Sequence, residues 1–178
     1  MKIFMIACVT SDMYIGYRNN LLVSLKPDMN HFKQITMGNT VVMGKNTYLS
    51  LPGKKPLPHR TNVIISTTMS EAPEGFKLFH CVNDFLNAYH DYEGTVFVIG
   101  GSKIYDAFMP FAEKIYFTHV QRTIAELYSE DEIDYSALVK FPNSLCRYSW
   151  DFQRSVDECC IDEKFGIVRY CFLTLLRR

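Results

Sequence analysis

Three apolar runs in this chain end in residues suited to holding an anion. Met43-Gly44-Lys45-Asn46-Thr47 and Ile99-Gly100-Gly101-Ser102-Lys103 each open at once into a helix-forming segment, and a third run ends at Ser66-Thr67. Glycine lets a backbone approach a phosphate closely. A helix N-terminus offers free N–H groups and the positive end of its dipole. Lys45 and Lys103 add charge. Together the three ends would hold a dinucleotide bearing an extra phosphate. Taken singly, Gly-Gly before a helix is an ordinary tight turn. There is no G-x-G-x-x-G fingerprint and no G-x-x-x-x-G-K-[ST] loop, which argues against the usual Rossmann site and against a P-loop nucleotide hydrolase.

Two charged residues point to a second ligand. Asp28 falls in the first turn of a helix opened by Pro27, and Phe32 and Ile35 follow at i+4 and i+7 on the same face. One reading leaves Asp28 on the surface, favouring the helix dipole. The other puts a carboxylate beside an apolar cleft, with a raised pKa, where it would hold an amidine-like heterocycle through two hydrogen bonds. Arg60 follows a proline-rich basic loop and precedes an apolar strand. It is either a surface arginine or a fork for a substrate carboxylate.

The elements that must position these residues alternate. Strands are expected at Lys2–Val9, Thr40–Met43, Thr61–Thr67, Thr95–Ile99 and Glu113–Val120. Helices are expected from Pro27 to about Met37, at Lys45–Leu51, Val82–Tyr92 and Ser102–Phe108. Thr10–Lys26 reads as a long irregular segment. The last third changes character, with long strands at Arg147–Ser155 and Gly166–Leu176 and a turn near Asp162-Glu163-Lys164. The pattern predicts an α/β fold with parallel βαβ units and an antiparallel hairpin at the sheet edge.

The chain has 178 residues, 48% of them hydrophobic, enough for one domain with a sizeable core. Lys plus Arg and Asp plus Glu are 19 each, so a broad grip on nucleic acid or an anionic membrane is not expected. The longest early apolar run, Ile3 to Val9, is too short to span a bilayer. The six cysteines, Cys8, Cys81, Cys146, Cys159, Cys160 and Cys171, form no C-x-x-C pair, and no metal site is expected. With no export signal recognised, they read as free thiols in a reducing cytoplasm.

In order and spacing, these segments resemble dihydrofolate reductase over nearly the whole chain. The resemblance runs through Ile6-Ala7-Cys8, Tyr14-Ile15-Gly16, Pro27-Asp28-Met29-Asn30-His31-Phe32-Lys33 and Val42-Met43-Gly44-Lys45-Asn46-Thr47-Tyr48. It continues through Leu57-Pro58-His59-Arg60, Val98 to Tyr105, Ile115-Tyr116-Phe117-Thr118-His119 and Tyr170-Cys171-Phe172. It implies a single domain over 1–178, with a central, mostly parallel eight-stranded sheet, an antiparallel C-terminal hairpin and about four flanking helices. It implies reduction of 7,8-dihydrofolate to tetrahydrofolate with NADPH, in support of one-carbon metabolism and thymidylate synthesis, and binding of antifolate inhibitors. A monomer is expected.

By the same resemblance, Asp28 would bind the pterin and promote protonation at N5, with Thr118 fixing its orientation. Ile6 and Ile99 would offer carbonyls near the pterin. Cys8, Met29, Phe32, Ser50, Leu51 and Leu57 would line the folate, and Arg60 would pair with its glutamate α-carboxylate. Leu21 would plug the nicotinamide side, with Tyr105 close by. Ala7, Cys8, Ile15, Gly16, Gly44, Lys45, Asn46, Thr47, Ser66, Thr67 and the stretch Ile99, Gly100, Gly101, Ser102, Lys103, Ile104 would line the cofactor groove, with a cis Gly100–Gly101 bond. Lys45, Thr67 and Lys103 suit a 2′-phosphate.

Two departures concern one loop. Leu22 and Val23 stand where the family has Pro and Trp, and an indole N–H can hold a water that valine cannot. At 123–128, Glu126 and Leu127 replace a Gly-Asp whose Asp, in some members, bonds the loop. Two other readings therefore stand beside the reductase. One is a folate- or NADPH-binding homologue with weak or lost catalysis. The other is a reductase of the same fold acting on another pyrimidine or pterin, against which Asp28, Arg60 and Thr118 argue together.

Overall fold

The computed structural model describes residues 1–178. In chain order its elements are β1 (Lys2–Thr10), β2 (Tyr14–Tyr17), β3 (Asn20–Leu21), α1 (Lys26–Thr36), β4 (Thr40–Gly44), α2 (Lys45–Ser50), β5 (Thr61–Ile65) and β6 (Phe76–Phe79). They continue with α3 (Val82–Ala88), β7 (Thr95–Gly100), α4 (Ser102–Phe108), β8 (Lys114–Val120), α5 (Ile124–Leu127), β9 (Leu138–Lys140), β10 (Trp150–Arg154), β11 (Glu158–Asp162) and β12 (Gly166–Arg177).

Eight strands lie in the order β10-β12-β8-β1-β7-β4-β5-β6, and β11 shares with β10 the outer side of β12. From β8 to β6 every pairing is parallel, whereas β12 runs antiparallel to β8 and both β10 and β11 run antiparallel to β12. The expected α/β sheet with antiparallel C-terminal strands is therefore present. The central strands are apolar on both faces because both faces are covered. Along β1, Ile3, Met5, Ala7 and Val9 join the larger core with Val42, Val98 and Phe108, while Ile6 points the other way to Val41, Met43 and Ile64. That alternation follows from the two-residue period of a strand.

Several boundaries differ from those expected. The first helix begins at Lys26, so Pro27 is its second residue. The strand from Thr61 stops at Ile65 and leaves Ser66 and Thr67 outside it. Residues 143–147 form a 3₁₀ turn, so the strand expected from Arg147 begins at Trp150. The segment Thr10–Lys26, expected to be irregular, contributes β2 and β3, which join β9 in a second, three-stranded sheet. Asp162 makes the hairpin turn by accepting from the N–H groups of Lys164 (2.8 Å) and Phe165 (2.9 Å). No helix is long and apolar enough to cross a membrane.

Candidate active site

Pairing between β1 and β7 ends at Met5–Val98, whereas pairing between β1 and β8 runs on to Thr10–Val120. The carboxyl ends of β1 and β7 therefore part at Ile6 and Ile99. The chain leaves β1 for β4 on one side and leaves β7 for β8 on the other. Such a reversal opens a crevice where open α/β sheets bind ligands.

α1 lays its apolar side along this crevice and carries Asp28 inward. Asp28 is 5% exposed, Thr118 on β8 is 2% exposed, and Thr118 Oγ1 donates to Asp28 Oδ1 at 2.5 Å. The surface reading of Asp28 is thereby overturned: its helical face is the packed face, because Phe32 and Ile35 on that face pack against the core of Ile6 and Val41. Burial pushes the carboxyl pKa up, and the hydrogen bond from Thr118 opposes part of that rise. Strand register sets Thr118 between Cys8 and Phe172, and Phe172 stacks on His31 of α1 with ring centres 4.0 Å apart. Burial first, and the Asp28 charge second, raise the pKa of the Cys8 thiol.

Phe32, Leu51, Leu57 and Ile99 form an apolar wall over Ile6 and Met43. Met29 and Ser50 lie at its exposed rim, with Ser50 Oγ bonded to the Thr47 carbonyl at 2.7 Å. Arg60 closes the far end. Its Nη1 donates to Thr36 Oγ1 and its Nε to the Pro58 carbonyl, both at 3.0 Å, and its Cζ lies 5.8 Å from the Phe32 ring centre. These bonds fix a half-buried fork at the end of the wall, and burial lowers its pKa.

On the other side the two glycine turns meet, since Met43 is in register with Gly100. A Cβ at Gly44 would stand 2.9 Å from Ile104 Cγ1, and one at Gly100 would stand 3.2 Å from the Tyr105 ring. Gly100 also has φ 115°, in the region that favours glycine, and the Gly100–Gly101 peptide is cis. Tyr105 is pinned by donating its hydroxyl to the Ile6 carbonyl at 2.7 Å. Gly44 and Gly101 are the N-caps of α2 and α4. Neither helix start has a side-chain cap or an acidic residue in its first turn. Two sets of free N–H groups thus face one groove, a donor set that fits a dinucleotide's phosphates.

Lys45 Nζ donates to Thr68 Oγ1 at 3.2 Å, which brings Lys45 to the turn holding Ser66 and Thr67. Lys103 stands exposed on α4 and is not gathered with them by any hydrogen bond or ion pair. His80 was not anticipated: its Nδ1 lies 3.1 Å from the Ser66 carbonyl, at the same turn.

Leu21, 52% exposed, lies at the mouth of an apolar crevice with Cys8, Ile15 and Val23. Gly16 pairs with Leu21 in the β2–β3 hairpin. Val23 is 2% exposed and packs with Leu22, Leu25, Ile124 and Leu127 in a second core. Glu126 does not reach the loop. It folds back into a capping box, accepting from the Thr123 N–H (2.6 Å) and hydroxyl (2.9 Å). The loop contact runs in the opposite sense, with Asp12 Oδ2 accepting from the Ile124 N–H at 3.1 Å. Asp12 is a second residue missed in the sequence, because an acid two residues past a strand looks like any turn residue.

A family model described as dihydrofolate reductase matches residues 2–139. Among curated relatives, the dihydrofolate reductase of Buchnera aphidicola is 34% identical over 120 residues, 67% of this chain and 73% of that protein. Dihydrofolate reductase type 3 of Salmonella typhimurium is 33% identical over 120 residues, 67% and 72% of the two chains. A solved dihydrofolate reductase from Enterococcus faecalis, complexed with NADP(H) and RAB-propyl, superposes with a TM-score of 0.79. It is 25% identical and covers 99% of this chain and 96% of its own.

Proposed function

The chain belongs to the dihydrofolate reductase family, and we propose that the crevice between β1 and β7 is its active site, with Asp28 as the group that holds and polarises the pterin. The enzyme is an NADPH-dependent oxidoreductase that reduces dihydrofolate. The observation that carries the site assignment is the buried Asp28–Thr118 pair at the floor of the crevice.

NADPH, when bound, supplies the hydride that C6 of the pterin receives. The protein's own part is positioning and electrostatics. Asp28, oriented by Thr118, accepts the two N–H groups of the pterin's amidine-like edge. Phe32, Leu51 and Leu57 hold the ring and its aryl tail in a dry wall, and Arg60 receives the glutamate α-carboxylate. Ile6 and Ile99 place carbonyls on the opposite side, the first held by Tyr105. Water brings the proton to N5, because Asp28 faces the other side of the ring. Gly44, Lys45, Asn46, Thr47, Ser66, Thr67 and the Gly100–Ile104 turn would hold the cofactor, and Leu21, Ile15 and Gly16 would cover its nicotinamide end.

All of these residues come from one chain, so a monomer suffices for turnover, and the unit reads as one domain over 1–178. A cytoplasmic setting is supported by the six free thiols. The direct test is loss of NADPH absorbance on adding dihydrofolate. Full activity at neutral pH in Asp28→Asn would overturn the role given to Asp28.

A further inference from the structure

α1 reaches β8 and β12 through two neighbouring side chains, and the site described above uses one of them. Asp28 takes the hydroxyl of Thr118 on β8. Three positions on, His31 lays its ring on Phe172 of β12, with ring centres 4.0 Å and planes 30° apart. Residues at that spacing are neighbours on a helix surface. Thr118 and Phe172 are neighbours too, as register partners across β8 and β12. Two adjacent helix residues thus grip one rung of the sheet.

The strand side of the second grip is rigid. The Phe172 carbonyl accepts from the Ser155 N–H at 2.9 Å, and the Phe172 N–H donates to Ser155 Oγ at 3.0 Å. The Phe172 ring lies edge-on to Tyr170, with centres 5.5 Å apart. Tyr170 is 1% exposed, and its hydroxyl donates to Glu158 Oε2 at 2.8 Å. Phe172 is therefore fixed at backbone and ring alike. On its other flank α1 rests on Phe32 and Ile35, packed against the core of Ile6 and Val41, and near its C-terminal end Arg60 holds Thr36. About that support the helix can roll, and the ring stack opposes the roll.

We propose that His31 is a positioning residue for the reduction: its stack on Phe172 keeps α1 from rolling and so holds Asp28 within hydrogen-bond reach of Thr118. The inference rests on the role given above to Asp28. A displacement of about 1 Å ends a hydrogen bond, so a small roll is enough. Without the bond, the burial that raises the Asp28 pKa is no longer opposed. His31 acts here by shape. Burial lowers its pKa, with the Glu158 charge working against that, so the ring is uncharged at pH 7.5. Ionisable groups around the pair are Cys8, Tyr105, Glu158, Cys160 and Tyr170. All five stay in place in the variants below, so movement of the Asp28 titration reports on the clamp.

Carbon-13 NMR titration of the Asp28 carboxyl and the pH profile of kcat/KM, measured on the same variants, test the proposal. His31→Ala should move the carboxyl midpoint and the Asp28 limb to higher pH, the direction expected for Thr118→Val. It should lower kcat/KM by about fivefold to tenfold and leave KM for NADPH nearly unchanged. His31→Phe keeps a flat ring and should restore both titrations and kcat/KM to within about twofold. Phe172→Leu should reproduce His31→Ala from the strand side. Should His31→Ala fail to fold, His31→Leu keeps the bulk without the flat ring and should show the same shift. In a Thr118→Val background His31→Ala should move the midpoint no further, because the bond it protects is already gone. An unmoved midpoint in His31→Ala overturns the proposal, as does a His31→Phe protein that behaves like His31→Ala, or a full further shift in the Thr118→Val background. The NMR readout separates the two readings. A midpoint that moves while Asp28→Asn keeps full activity overturns the role given to Asp28, whereas an unmoved midpoint beside an inactive Asp28→Asn overturns the clamp alone.

Discussion

Asp28 sits where its own ionisation is disfavoured, and stability and activity therefore pull in opposite directions. Its folded pKa is raised, with burial as the main cause. Between the unfolded value, about 3.9, and the higher folded value, the native state binds more protons than the unfolded state. Stability therefore falls as pH rises through that window. The penalty is complete above the folded pKa and absent below the unfolded one. Asp28→Asn keeps an oxygen that can accept from Thr118 but carries no charge. Thermal melts at pH 7.5 should show the variant more stable by at least ~2 °C, the gap closing toward about pH 4. Its kcat/KM should fall by roughly 10²–10³. Thr118→Val removes the bond that lowers the Asp28 pKa, so the limb of the pH–rate profile that Asp28 governs should move to higher pH, with a loss of about tenfold in kcat/KM. Arg60→Leu should raise KM for dihydrofolate by about 10² and leave KM for NADPH and kcat nearly unchanged, the pattern of a lost binding contact.

Among the elements, the loop over the cleft is held from two sides. β2 pairs with β9, and Asp12 takes the first N–H of α5. Asp12→Ala should speed amide exchange across 11–17 and 124–127 and raise KM for NADPH about threefold to tenfold, without moving the Asp28 limb of the pH profile. Val23→Trp, which would restore the family's usual side chain, meets a closed core of Leu22, Leu25, Ile124 and Leu127. It should cost about 1–3 kcal/mol in denaturant unfolding, as overpacked cores do.

These cases show what was readable in the chain. β1, β4, β5, β7 and β8 were legible because strands covered on both faces are continuous apolar runs. β2, β3 and β9 were not, since they are two to four residues long and β2 finds β9 across more than a hundred positions, as Tyr14 does Lys140, while β3 pairs only with β2 in a short hairpin. α5 was signalled by Thr123 and Glu126 at capping-box spacing, a cue not read as a helix start. The role proposed for Asp28 rests on the family resemblance and its position on α1. Its burial did not, because an acid in a first helical turn is equally at home on the surface, and its partner Thr118 lies on a strand ninety positions later.

For the whole molecule, the groove between β4 and β7 exists only in the folded chain, so cofactor occupancy should stabilise the fold by mass action. At about 100 times its Kd, NADPH should add about 2.7 kcal/mol and raise Tm by roughly 5–10 °C, and its removal by dialysis should reverse the gain. β12 lies between β8 and β10, so the neighbour that completes β8 is the last long strand in the chain. During synthesis from the N-terminus, every residue assigned to the crevice leaves the ribosome before β12 does. Until then β8, which carries Thr118, is an open template for foreign strands. Arrival of β12 is thus the moment when β8 ceases to be an open template and Thr118, the partner of Asp28, is flanked by strands on both sides.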